Sequence, residues 1–217
     1  MFEKDYIMRM IQQFAKLLAE VLFKIRSGNV EEAQSDIQSA SQKYLGLGFD
    51  FLLGTSNQHL VNIFSIGGRL NAEKCYIAAQ LFFHEAKARE AKNPEDSYGC
   101  YIRALDLLLI CIEQLDEAAW NEAISVTGEI LQICRNEDFP SDIHKRLLFF
   151  YEYRKEYARA EDCLFRLAEN GADDSVKIGK SFYGRLMNKT DQELESGNLP
   201  RSEVEEGLSE FIGRFNT

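Results

Sequence analysis

The chain has 217 residues, 45% of them hydrophobic and 28% charged, with 25 Lys+Arg against 35 Asp+Glu for a formal net charge of -10. That balance describes a globular chain and excludes a disordered tail, a collagen-like rod and a membrane-spanning bundle. The negative charge also argues against nucleic acid as a partner, since affinity for a polyanion comes largely from neutralising phosphates and releasing counterions.

Proline occurs three times, at Pro94, Pro140 and Pro200, where average usage of about 5% would give roughly eleven. Valine (six) and threonine (four) are few, while leucine, alanine, glutamate and lysine abound. β-branched residues favour strands and unbranched ones lose little rotamer freedom in a helix, so the composition predicts an all-α protein.

The first predicted helix, Asp5 to Arg26, alternates a polar stripe (Arg9, Gln13, Lys16, Glu20, Lys24) with an apolar face of Ile7, Met10, Ile11, Phe14, Leu17, Leu18, Val21 and Ile25. Its polar stripe mixes charges, unlike the basic face of a membrane-surface helix. The opening lacks the basic start and apolar core of a signal peptide, and the longest apolar run, Leu107–Ile112, is far short of the roughly 20 residues that span a bilayer. A cytoplasmic protein with no membrane partner is expected. Gly28 ends the first helix, and Asn29 with Glu32 reads as a capping box opening a second helix to about Tyr44.

Gly46, Gly48, Gly54 and the pair Gly67–Gly68 bracket an irregular stretch with a short helix expected near Gln58–Ser65. A long helix follows from Asn71 to about Lys92, reset by Asn93–Pro94. Further helices are predicted at about 95–114, 117–135, 140–154, 156–169 and 173–189. Ser202 with Glu205 reads as a second capping box after a polar linker near Ser196–Pro200. The last helix carries Val204, Leu208, Phe211 and Phe215 on its apolar side, and no segment shows strand periodicity. The expected organisation is one all-helical domain over 1–217: N-terminal helices with the Gly-rich segment (1–68), helical hairpins (69–171) and C-terminal helices (172–217).

The five cysteines are odd in number and form no CxxC pair, and Cys100 and Cys111 would stand roughly 16 Å apart along one helix, so buried reduced thiols and surface histidines are expected. His84–Glu85 begins a zincin pattern, but Ala88 takes the place of its second histidine. Three positions before the histidines stand Ser56, Leu81 and Ser141, so no Glu-x-x-His pair exists. Cys75 and His84 fall on opposite faces of one helix, and no phosphate-binding glycine loop is present. No metal, cofactor or catalytic activity is expected.

Residues Leu147 to Glu169 resemble a tetratricopeptide repeat. With Ala160 on that family's small residue, Leu147, Tyr151, Tyr157 and Leu164 fall on its other hydrophobic signature positions, while Leu148 and Lys155 stand where it uses glycine. Ala123 with Trp120, 37 residues earlier, repeats the theme, as do Ala33 and the run Ser97, Tyr101, Ala104 more weakly. The opening DYIMRMIQQFAKLLAEVL is also similar to the start of an uncharacterised bacterial family of tetratricopeptide-like proteins. The resemblance implies antiparallel helical hairpins stacked as an irregular array, with a groove along the first helices where a peptide or partner helix lies.

On that alignment Lys145, Phe149, Glu152 and Tyr153 face the groove; the competing reading makes Phe149, Phe150, Tyr151 and Tyr153 core, with Lys145 and Glu152 on a solvated face. Phe149 stands where a receptor for acidic C-terminal tails needs asparagine. In the preceding hairpin Leu105, Leu108, Ile112, Leu115 and Asp116 form a surface needing cover from the 71–92 helix, the C-terminal helix or a second copy, which leaves a homo-oligomer open. The sequence thus points to a non-catalytic module for a protein or peptide partner. The alternatives are a ligand-sensing regulatory domain, or an enzyme whose site is assembled across helices.

Overall fold

The computed structural model describes residues 2–215, with side chains from Gln12 onward. Among these the protein is all-α, with twelve α-helices and one minute hairpin of strands. The chain forms two compact units, 1–137 and 138–217, where the sequence suggested one domain. The boundary falls in the polar loop before Pro140, which has no apolar pattern to bury.

In the first unit, α1 (Phe2–Arg26) buries Phe14, Leu18 and Val21 as its periodicity requires; the expected contributions of Ile7, Met10 and Ile11 lie outside the described side chains. Gly28, at φ +82°, closes this helix. The capping box expected at Asn29 does not form. Asn29 sits at φ -85°, ψ 54°, away from the extended backbone a cap needs, and Glu32 is drawn to Lys24 at 3.6 Å instead. Helix α2 (Val30–Ala40) ends in a π turn at Ser41–Leu45.

The Gly-rich stretch holds α3 (Phe49–Gly54), α4 (Asn57–Ile63) and strands β1 (Ser65–Ile66) and β2 (Arg69–Leu70), paired antiparallel. Neither α3 nor the hairpin has a sequence signal long enough to read. Arg103 pins the segment: its guanidinium donates to Leu53 O (2.9 Å), to Thr55 O and to Asn57 Oδ1 (3.0 Å), and stacks 4.1 Å above the Phe82 ring.

Helix α5 (Ala72–Glu90), capped by Asn71, is the axis of this unit. Every residue from Cys75 to Ala86 is buried, so it shows no solvent stripe. It packs along α6 (Tyr98–Cys111) and against α1 and α2, while α7 (Glu117–Ile133), capped by Asp116, packs on α6. Leu105, Leu108 and Ile112 are buried by the chain's own residues, so that apolar surface needs no second copy to cover it.

The second unit is built on the antiparallel pair α8 (Ser141–Tyr153) and α9 (Tyr157–Glu169). Leu147, Tyr157, Ala160 and Leu164 are all buried between them. The expected 173–189 helix is α10 (Ser175–Met187), followed by α11 (Asp191–Ser196), for which no helix was expected and which ends where the Ser196–Pro200 linker begins, and α12 (Arg201–Phe215). The Ser202–Glu205 box is displaced: α12 begins a residue earlier, directly behind Pro200, and the formed capping box is Thr190–Glu193 at the start of α11. Phe211 and Val204 enter the core as the α12 periodicity predicts, with Phe211 against Phe165 and Phe215.

Candidate functional site

Helix α8 begins behind Pro140, whose carbonyl accepts from the Ile143 and His144 amides at 2.9 and 3.2 Å. Its buried stripe is Ile143, His144, Leu147, Leu148 and Phe150. The remaining surface carries Lys145, Phe149 and Tyr153 at a spacing of four, which places them in one row. Phe149 is 43% exposed and Tyr153 58%, so two aromatic rings one helical turn apart meet solvent. The core reading therefore describes Phe150 and the half-buried Tyr151, whose phenol burial pushes up to about 12, but not Phe149 or Tyr153.

The two charged members of the expected groove are engaged within the same unit. Lys145 pairs with Asp174, just before α10, and that hydrogen bond holds the Asp174 carboxyl below its usual range. Glu152 accepts from both Nε (2.6 Å) and Nη2 (2.7 Å) of Arg185 on α10, while Nη1 donates to Ser181 at 2.7 Å. A forked guanidinium–carboxylate pair of this kind is geometrically specific. Lys145 and Glu152 thus tie α10 to α8 and flank the exposed rings rather than standing free. Sequence reading named neither Asp174 nor Arg185, because partners 29 and 33 residues away leave no local signature.

The histidines depart from expectation: His59 is exposed, but His84 and His144 are buried, one on the enclosed α5 and the other on the core stripe of α8. All five cysteines are buried and unpaired, and burial pushes the Cys134 thiol up to about 11 and Cys163 to about 12, which leaves both as thiols near neutrality. Among the described residues, no group of three or more His, Cys, Asp and Glu could hold a metal ion, and no helix is long and apolar enough to cross a membrane.

Fold and surface together define an all-α protein that displays an aromatic row on one helix of a hairpin. Compared with known families, residues 1–216 match the model of DUF6483, a family of unknown function, and the chain belongs to that family. No curated protein and no solved structure matches it.

Proposed function

We propose that the protein is a cytoplasmic, non-catalytic binding module that takes a protein or peptide partner on the outer face of α8. The observation that carries this reading is the exposed pair Phe149 and Tyr153, one turn apart on a helix held by two ion pairs. Single exposed apolar residues are ordinary, but aromatic side chains on a rigid support are the anchors that dominate interface energies. The tetratricopeptide-like features of the hairpin support it. Ala160 is fully buried beside Leu147, Tyr157 and Leu164, and Lys155 adopts φ 59°, the left-handed conformation for which such repeats use glycine. The net charge of -10 favours neither nucleic acid nor an anionic membrane surface as the partner.

The test compares the wild-type chain with the double variant Phe149→Ala/Tyr153→Ala as baits in crosslinked affinity purification from native cells. A partner captured stoichiometrically by the wild type and depleted at least about tenfold with the variant is expected, since a lost anchor commonly costs more than 1.4 kcal/mol. The melting temperature should move by no more than about 2 °C, because truncating exposed residues rarely matters to the fold. Capture of the same partner by both baits, or a loss of binding matched by a loss of folding, overturns the reading.

A further inference from the structure

Helix α5 carries an unusual ridge for a helix buried on all sides. Tyr76, Gln80 and His84 recur at a spacing of four, so three polar side chains lie in one row. Helix α7 repeats that spacing with Ala119, Ala123 and Thr127, and α1 contributes Phe14, Leu18 and Leu22. Because Ala15 and Ala19 on α1 and Ala118 and Ala119 on α7 are small, the three helices leave a cavity of about 460 Å³ between them. That lies within the roughly 300–1,000 Å³ typical of small-molecule sites. Phe14, Leu18 and Leu22 give it apolar walls, while Tyr76 and His84 reach it from α5 and Glu122 from α7.

One polar atom at this wall, His84 Nε2, is buried and unsatisfied. His84 is 3% exposed, and its Nδ1 lies 2.7 Å from the Gln80 carbonyl oxygen. A carbonyl can only accept, so Nδ1 carries the proton. Burial lowers the ring's proton affinity to a pKa of about 4, which keeps it neutral near pH 7. Its Nε2 is therefore a bare acceptor, buried and without a partner. Neither Gln80, one turn back on α5 with its amide beside the Tyr76 hydroxyl, nor Thr127, whose Oγ1 is buried and unpaired, lines the cavity. Leaving such groups unpaired costs about 1–3 kcal/mol each. By contrast Glu85, the next residue on α5 and as deeply buried, is satisfied by Arg89 at 2.7 Å and Gln34 at 3.0 Å.

The chemistry of the wall selects the occupant. Of the polar lining groups, His84 Nε2 and the Glu122 carboxylate accept hydrogen bonds, Gln12 and Tyr76 are neutral, and no lysine or arginine lines the cavity among the described residues. Among the described lining residues an anion would find no counter-charge and would face Glu122. We propose that this cavity between α1, α5 and α7 binds a small, largely apolar amine, whose N–H donates to His84 Nε2 while Glu122 favours its positive charge. This site is built from residues of the first unit alone.

The test uses the full chain with ¹⁵N-labelled histidine and two matched probes at millimolar concentration, 2-phenylethylamine and 3-phenylpropionate, read by the ring nitrogen resonances of His84. The amine should shift Nε2 and raise the melting temperature, and the carboxylate should do neither. His84→Phe, which removes the acceptor, should weaken amine binding about tenfold as read by calorimetry. Should that variant fail to fold, Ala15→Leu fills the cavity from an exposed position and should abolish the shift at His84. An unmoved His84 in the presence of the amine overturns the proposal and leaves ordered water as the occupant. Equal responses to amine and carboxylate, or amine binding unchanged in a folded variant, overturn it as well.

Discussion

Two buried polar clusters, one in each unit, are satisfied to different degrees, although the second unit also buries His144 with neither ring nitrogen hydrogen-bonded. In the second, Tyr183 is fully buried, yet its hydroxyl donates to Glu161 at 2.6 Å, and Gly207 gives the pair room where a Cβ would sit 2.3 Å from the carboxylate oxygen. In the first, His84 is comparably buried and its Nε2 stays unpaired beside a cavity. A closed polar pair rigidifies a core, whereas open acceptors at a cavity are what a ligand can complete. Packing differs in the same sense: glycines let aromatic rings press home in the second unit, while alanines leave space in the first.

The sharpest way to break this contrast is Gly197→Ala in the second unit. A Cβ there would lie 2.2 Å from the Tyr157 ring and 2.7 Å from the Lys155 carbonyl oxygen, and backbone cannot swing aside. A loss of about 3 kcal/mol is expected in urea unfolding followed by circular dichroism. An unchanged midpoint would mean that α11 docks loosely and that the close packing ascribed to this unit is absent.

Acid should expose the opposite weakness in the first unit. His84 stays neutral in the fold down to about pH 4, whereas in the unfolded chain it takes up a proton near 6.5. In that window the unfolded state binds more protons, so stability is fully present above about pH 6.5 and is lost progressively as pH falls toward 4. The contribution is about 3 kcal/mol, read as the difference between wild-type and His84→Phe unfolding curves monitored by Trp120 fluorescence. Parallel curves across that range would place His84 in contact with water.

A smaller effect sharpens the closed side of the comparison. Tyr183→Phe removes the donor and leaves Glu161, already raised above its usual carboxyl range by burial, without its hydroxyl partner. About 2 kcal/mol should be lost near neutral pH and partly recovered in mild acid, where Glu161 is protonated. The smallest change should be favourable: Gly128 lies within α7 with nothing within 4 Å of a built Cβ, so Gly128→Ala should gain about 1 kcal/mol from helix propensity. A loss there would reveal a constraint on α7 beside the cavity.

Much of this contrast was illegible from sequence, for identifiable reasons. Amphipathic helices announce themselves, so α8, α9 and α12 appear near their predicted bounds and Phe211 enters the core as its spacing requires. Helix α3 and the Ser65–Leu70 hairpin are too short to carry a period, and the end of α3 is held by Arg103, about fifty residues on in sequence from Leu53. The exposed positions of Phe149 and Tyr153 follow helical spacing once the core side of α8 is known, but the ion pairs that engage Lys145 and Glu152 come from a later helix.

The longer helices, their order and most of their ends were legible in the sequence, because periodicity, caps and glycine breakers act within a few residues of one another. The enclosure of α5, the neutral and unpaired state of a buried His84, and the common space faced by alanines of α1 and α7 arise only when the helices pack. Those properties depend on which side chains arrive from distant segments, and burial and desolvation act through space without regard to sequence separation.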